Sequence, residues 1–157
     1  RERFALDKVT FCDLHRIVAR NEALEWGVFR GEGEETHYTP DALGEKGRYT
    51  PLPTIAGAPE LNRVFAAGTH ALTEHVDNAF ERGCAFFLFG ALQQFFFDGN
   101  KRTSRFMMNG VLMSNGIDAI SVPAQRAGDF NEKMVGFYTS RDATEMMAFL
   151  AECHPET

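Results

Sequence analysis

Residues 94–105 run Gln-Phe-Phe-Phe-Asp-Gly-Asn-Lys-Arg-Thr-Ser-Arg. Between Asp98 and Arg105 the chain places one carboxylate, a Gly-Asn pair and three cations. Each residue type suits part of an anion site. Gly99 permits a backbone closed to other residues and lets a phosphate approach the main chain. Asn100 tolerates left-handed conformations and can donate a side-chain N–H to an oxyanion. Asp98 is a hard oxygen ligand for Mg²⁺, which usually takes one or two carboxylates together with substrate phosphates. Lys101 supplies a point charge, and Arg102 and Arg105 supply planar forks for phosphate oxygens. Arg102 and Arg105 are three apart and share a helix face, and Lys101 and Arg105, four apart, are also neighbours. Cations this close repel one another unless an anion neutralises them. A polyphosphate with a divalent metal is the natural guest. The plainer alternative is a solvated helix start with Asp98 as its N-cap.

Two apolar stretches must position this segment. One precedes it (Phe86, Phe87, Leu88, Phe89, Leu92, Phe95, Phe96), and one follows (Phe106, Met107, Met108, Val111, Leu112, Met113). The simplest reading is two buried helices joined by a polar turn, with unpaired N–H groups and partial positive charge at the start of the second. Elsewhere the pattern predicts a helix capped by Thr10 with Phe11, Leu14, Ile17 and Val18 on its apolar face, and a short helical piece from Ala23 to Phe29. Helices follow at about 59–79, 81–97, 101–115, 124–138 and 142–152, opened by Pro59 and Pro123 and stopped once at Gly116. Residues 31–57 carry Gly31, Gly33, Gly44, Gly47, Gly57, Pro40, Pro51 and Pro53 with little periodicity, and read as a long irregular region. The predicted fold class is all-α, with a core that includes Leu14, Phe87, Leu88, Leu92, Phe96, Phe106, Val111 and Phe137.

The motif segment resembles the signature of Fic-domain proteins, His-x-Phe-x-(Asp/Glu)-Gly-Asn-(Gly/Lys)-Arg-x-x-Arg. Phe96, Asp98, Gly99, Asn100, Lys101, Arg102 and Arg105 fall on its positions. The likeness extends through about residues 80–150, where Ile120-Ser-Val-Pro and Phe130-Asn-Glu-Lys-Met-Val-Gly-Phe-Tyr are similar to the usual C-terminal half. The resemblance implies a small Fic-type helical bundle with a short β-hairpin flap, here about residues 48–57, and a single domain over residues 1–157. It implies transfer of AMP from ATP to a Ser, Thr or Tyr hydroxyl of a protein target, aligned by pairing with the flap. Carried over, Asp98 would hold Mg²⁺, Gly99 and Asn100 the α- and β-phosphates, and Arg102 and Arg105 the β- and γ-phosphates. Lys101 stands where many members have Gly. The Doc-type kinases of the family share that Lys but lack the second arginine, present here as Arg105.

One position departs from the signature. The family's general-base His is replaced by Gln94. Imidazole accepts a proton near neutral pH because its pKa is about 6.5, and a carboxamide does not. Loss of general-base help costs about 10²–10⁴ in rate. Three explanations stay open: a member that binds nucleotide without AMP transfer, an engineered inactive form, or another base, for which His70 and His75 are the candidates. The competing class is therefore a non-catalytic nucleotide- or peptide-binding regulatory module. Family members are often restrained by a Ser/Thr-x-x-x-Glu-Gly/Asn helix. Neither end of this chain carries it, as Glu22 and Glu25 lack the upstream Ser or Thr, so either a separate antitoxin-like partner supplies the restraint or the missing His makes it unnecessary.

Composition narrows the setting. The 157-residue chain has 44% hydrophobic residues, enough for one core, and a net charge of −6, which argues against nucleic-acid or anionic-membrane partners. Cys12, Cys84 and Cys153 are widely spaced and read as reduced thiols of a cytoplasmic protein. No apolar run is long enough to span a membrane, and no signal-peptide layout opens the chain. An opening Arg1 in place of Met reads as processing or as a fragment of a longer protein.

Overall fold

The computed structural model describes residues 4–41, 43 and 49–155. Among them are six α-helices and no strand. Helix α1 (Lys8–Val18) starts one residue after Asp7, whose carboxylate accepts from the Thr10 N–H at 2.8 Å. Asp7 is therefore the cap, and Thr10 lies inside the first turn. Helix α2 (Pro59–His75) has proline in its first turn, and α3 (Ala79–Gln93) is capped by Asn78. Helix α4 (Asn100–Ser114) follows the motif turn. A 3-10 turn (Ala124–Arg126) leads into α5 (Ala127–Ser140), and α6 (Thr144–Glu152) ends the bundle.

The core is two apolar clusters divided by α3 and α4, the most extensively paired helices. One cluster packs Phe87, Leu88, Met108 and Leu112 against Phe130, Met134, Phe137, Phe149 and Leu150. The other packs Phe86 and Met107 with Phe11, Phe29, Phe65, Phe95 and Phe96. Consecutive residues thus serve opposite clusters: Phe86 with Phe87, and Met107 with Met108. That is why both helices read as apolar on more than one face.

Several expectations need correction. Phe106 is 56% exposed and lies with Met113 on the outer face of α4. The buried stripe of α4 instead runs through Thr103 and Ser104 before Met107 and Met108, so an apolar-only pattern misplaces the face. Leu14 and Leu92 are half-buried at the cluster margins, and Ile17 is exposed. Residues 23–29 form bends and irregular chain, with Gly27 at φ +78°, and no helix.

The expected hairpin flap is not seen either. Arg48 lies outside the described residues, and residues 49–57 contain no strand. Pro51 and Pro53 lack N–H donors. Two of the remaining groups that an edge strand would offer are already used: the Leu52 carbonyl accepts from Arg30, and the Thr54 N–H donates to Thr39 Oγ1 at 2.9 Å.

Candidate functional site

The motif turn is built from the inside. Gln94 ends α3 in the left-handed region at φ +52°, a conformation that costs a non-glycine residue about 1–2 kcal/mol. Its side chain is secured at both ends. Nε2 donates to the Ala91 carbonyl at 2.6 Å, and Oε1 accepts from Asn100 Nδ2 at 3.1 Å. The same Asn100 amide accepts from the Phe96 N–H at 2.9 Å and donates to the Phe96 carbonyl at 2.8 Å. Asn100 is buried and braces the turn, so its side-chain donors are engaged within the loop. Gly99 stands at φ +75°, and a Cβ there would come within 3.2 Å of the Ala19 methyl. Glycine is needed both for the backbone angle and for contact with the end of α1.

Two residues outside the motif hold this turn, and the sequence reading passed over both. His15 is fully buried and stacks on Phe96 with ring centroids 3.7 Å apart. Its Nδ1 accepts from the Gly27 N–H at 3.0 Å, so the proton sits on Nε2, which lies 2.8 Å from the Asp98 carbonyl and donates to it. Burial lowers the His15 pKa and keeps the ring neutral. Arg30 is also fully buried. Its guanidinium donates to the carbonyls of Gln94, Gln93 (3.2 Å) and Leu52 (2.7 Å), and to Thr54 Oγ1 (3.0 Å). Burial lowers its pKa to about 10, which leaves it cationic at neutral pH. Arg30 thus places positive charge against the negative end of α3. The positive end of α4 has no side-chain cap and is left to the cavity. A helical reading could have noticed His15, four residues after Phe11 on the apolar face, whereas Arg30 follows Phe29 in irregular chain and leaves no periodic signal.

A cavity of about 530 Å³ opens over the turn, within the range of small-molecule sites. Gln94, Asp98, Gly99, Asn100, Lys101 and Arg102 line it together. Arg105 does not. It borders an adjacent groove of about 390 Å³ with Phe106 and Asn109, and its guanidinium carbon lies 5.5 Å from the Phe130 ring centroid. Arg102 borders both spaces. Across the first cavity Glu22 pairs with Arg102 at 2.7 Å, although neither end of the sequence carries the restraining motif. The cavity also has an aromatic wall that the sequence did not announce, with Tyr38 and Phe97 rings 6.0 Å apart. His70 and His75 are exposed on α2, and neither lines the space beside Gln94.

Among the described residues no cluster of three or more His, Cys, Asp or Glu side chains could hold a metal alone. Asp98 is exposed at the cavity, and its Oδ1 accepts from the Gly99 N–H at 2.7 Å. A single carboxylate suits Mg²⁺ only where ligand oxygens complete its shell, and not a protein-only metal cage. The cysteines carry no chemistry here. Cys12 and Cys84 are buried, free and pushed up to about 11 and about 12 by burial. No described helix is long and apolar enough to cross a membrane.

No sequence-family model matches the chain, and no curated protein matches it. Solved structures do. A Fic family protein from Desulfovibrio desulfuricans G20 superposes with a TM-score of 0.72 at 18% identity, over 94% of this chain and 44% of that one. Fic-1 from C. elegans superposes with a TM-score of 0.67 at 19% identity, over 96% of this chain and 40% of the solved fragment. This chain spans less than half the length of either matched structure, and its fold is Fic-like.

Proposed function

We propose that this chain is a Fic-type adenylyltransferase scaffold that binds Mg-ATP over the α4 N-terminus, with AMP transfer to a protein hydroxyl impaired by Gln94. The observation that carries the reading is the cavity that gathers Gln94 and Asp98 to Arg102 on a Fic-like fold. In this reading Asp98 and the phosphates share Mg²⁺. The Gly99 and Asn100 backbone receives the phosphates, and Lys101 and Arg102 neutralise them. Arg105 acts from the neighbouring groove, reached past Arg102. In the reaction a Ser, Thr or Tyr oxygen attacks the α-phosphorus, the bond to pyrophosphate breaks, and the hydroxyl proton must leave. Gln94 can orient a hydroxyl but cannot take its proton. The target, a cytoplasmic setting and restraint by a separate chain belong to the same proposal.

A specific observation favours a second reading, a nucleotide-binding regulatory module. The Gln94 amide is bonded at both ends inside the turn, so it does not need a substrate to satisfy it. Both readings meet one experiment. The parent and Gln94→His are incubated with Mg²⁺, host lysate and ATP labelled at the α- or γ-phosphate. Transfer of α-label by the variant alone establishes the transferase scaffold. ATP binding without transfer of either label establishes the binding module, and γ-label transfer would replace both with a Doc-type kinase. Asp98→Ala should abolish the Mg²⁺ dependence of ATP binding, and unchanged dependence removes Asp98 as the metal ligand.

A further inference from the structure

Tyr138 borders the same cavity from α5. It is 3% exposed, and its hydroxyl is buried with no hydrogen-bond partner among the described residues. The ring is fixed in place: it stacks on Tyr49 with centroids 5.2 Å apart, and Tyr49 is in turn anchored by its hydroxyl to the Leu92 carbonyl at 2.5 Å. Burial also holds the phenol pKa above its ordinary value, so the group is a neutral donor at any physiological pH. An unpartnered buried hydroxyl costs stability that phenylalanine would not. Thr103 and Ser104 also have buried hydroxyls without partners, but neither borders the cavity. Among the described residues, Tyr138 alone combines a missing partner with a position on the cavity.

We infer that the Tyr138 hydroxyl completes its hydrogen bonding on the bound ligand, as a contact to the nucleoside portion of the nucleotide. The inference rests on the Mg-ATP reading of the cavity. The chemistry divides the lining. Lys101, Arg102 and the α4 N-terminus meet anionic oxygens, for which a neutral phenol is a poor competitor. Sugar hydroxyls and base nitrogens are neutral, and a neutral donor that can also accept is the matching partner. Tyr38 and Phe97 add apolar ring surface to the same wall, as a nucleoside requires. The inferred role is discrimination: the cationic end binds any polyphosphate, and Tyr138 favours one carrying a nucleoside.

The test compares the parent with Tyr138→Phe by calorimetric titration of ATP and of inorganic tripolyphosphate, both with Mg²⁺. The expected result is an ATP affinity about tenfold weaker, the upper range for one neutral hydrogen bond, with tripolyphosphate affinity unchanged. The ligand-free variant should melt at the same or a higher temperature, because it loses an unsatisfied group. Equal ATP affinity in the two proteins overturns the contact while leaving the Mg-ATP reading in place. Equal losses for ATP and tripolyphosphate overturn it as well, by placing the effect on the phosphates. A lower melting temperature would reveal a structural partner for the hydroxyl and also sink the inference. Failure of the parent to bind ATP at all would remove the Mg-ATP reading and this contact with it. Titration of 2′-deoxy-ATP and ITP then separates a sugar contact from a base contact.

Discussion

Two side chains set the state of the site at the level of single residues. His15 is neutral in the fold because it is buried and because one ring nitrogen accepts from Gly27 while the other donates to Asp98, an arrangement that leaves no place for a second proton. Protonation would break the Gly27 bond. Its pKa is lowered by burial, so the unfolded chain binds the proton more readily than the fold does. The contribution is intact above the ordinary imidazole value of about 6.5, and stability falls as pH drops below it toward the lowered folded value. Denaturant midpoints measured from pH 8 to pH 5 should show this loss. His15→Gln should flatten that part of the curve while lowering the whole by about 1–3 kcal/mol through broken pairing to Asp98 or Gly27. A parent curve flat below pH 6.5 would contradict the assignment. Glu22 acts in the opposite sense. It engages Arg102 at 2.7 Å with both partners half exposed, so the pair is worth about 0.2–1 kcal/mol. An anion must displace Glu22 to reach that guanidinium. Glu22→Ala should therefore tighten tripolyphosphate binding by about 1.5- to 5-fold. Unchanged affinity would mean that Arg102 does not meet the ligand.

At the scale of elements, the decisive object is the junction of α3 and α4, where two helix ends of opposite polarity face one short turn. Arg30 satisfies the carbonyl end and ties it to Leu52 and Thr54. Arg30→Met keeps much of the volume but leaves buried carbonyls without donors, and should cost about 3 kcal/mol. Arg30→Lys should recover only part of this, because one ammonium cannot reproduce the fork. Proteolysis near residues 49–54 should accelerate in both variants, and unchanged cleavage would show that the guanidinium does not tether that segment. This junction also explains what could be read from sequence. Asp98 to Arg102 are consecutive, and the segments on either side are strongly apolar, so the turn and its helices were legible. His15, Arg30 and Tyr138 reach the site by tertiary contact from elsewhere, and no spacing rule connects residue 30 to residue 94. Phe106 misled because hydrophobicity alone cannot reveal that Thr103 and Ser104 face inward. The missing hairpin has a similar origin. The flap at about residues 48–57 was placed by resemblance, while Arg30 and Thr39, which consume the Leu52 and Thr54 backbone groups, were not foreseen.

At the scale of the molecule, the two apolar clusters have different jobs. The cluster around Phe11 contains the motif turn itself. Phe11 lies with ring centroids 4.8–6.3 Å from Phe29, Phe65, Phe86, Phe95 and Phe96, which joins α1, α2, α3 and the turn through one ring. The other cluster, which includes Phe149 of α6 and reaches the cavity at Tyr138, packs the opposite faces of α3 and α4. Truncating either ring opens a cavity of similar size and should cost about 3–5 kcal/mol, a large share of a typical domain's 5–15 kcal/mol. The consequences for the site should nevertheless differ. In Phe11→Ala the His15–Phe96 stack and the Phe95 contact lose their backing, and the Asp98 carbonyl and Gln94 are free to shift. In Phe149→Ala the vacancy opens beside Phe130 in the other cluster, on the opposite faces of α3 and α4 from the His15–Phe96 stack. Both variants should therefore melt earlier by comparable amounts, while Phe11→Ala loses the larger share of ATP affinity when both are titrated well below their transitions. Equal loss of binding in the two would mean that the bundle supports the turn as one rigid unit, and that the aromatic cluster has no special claim on the site.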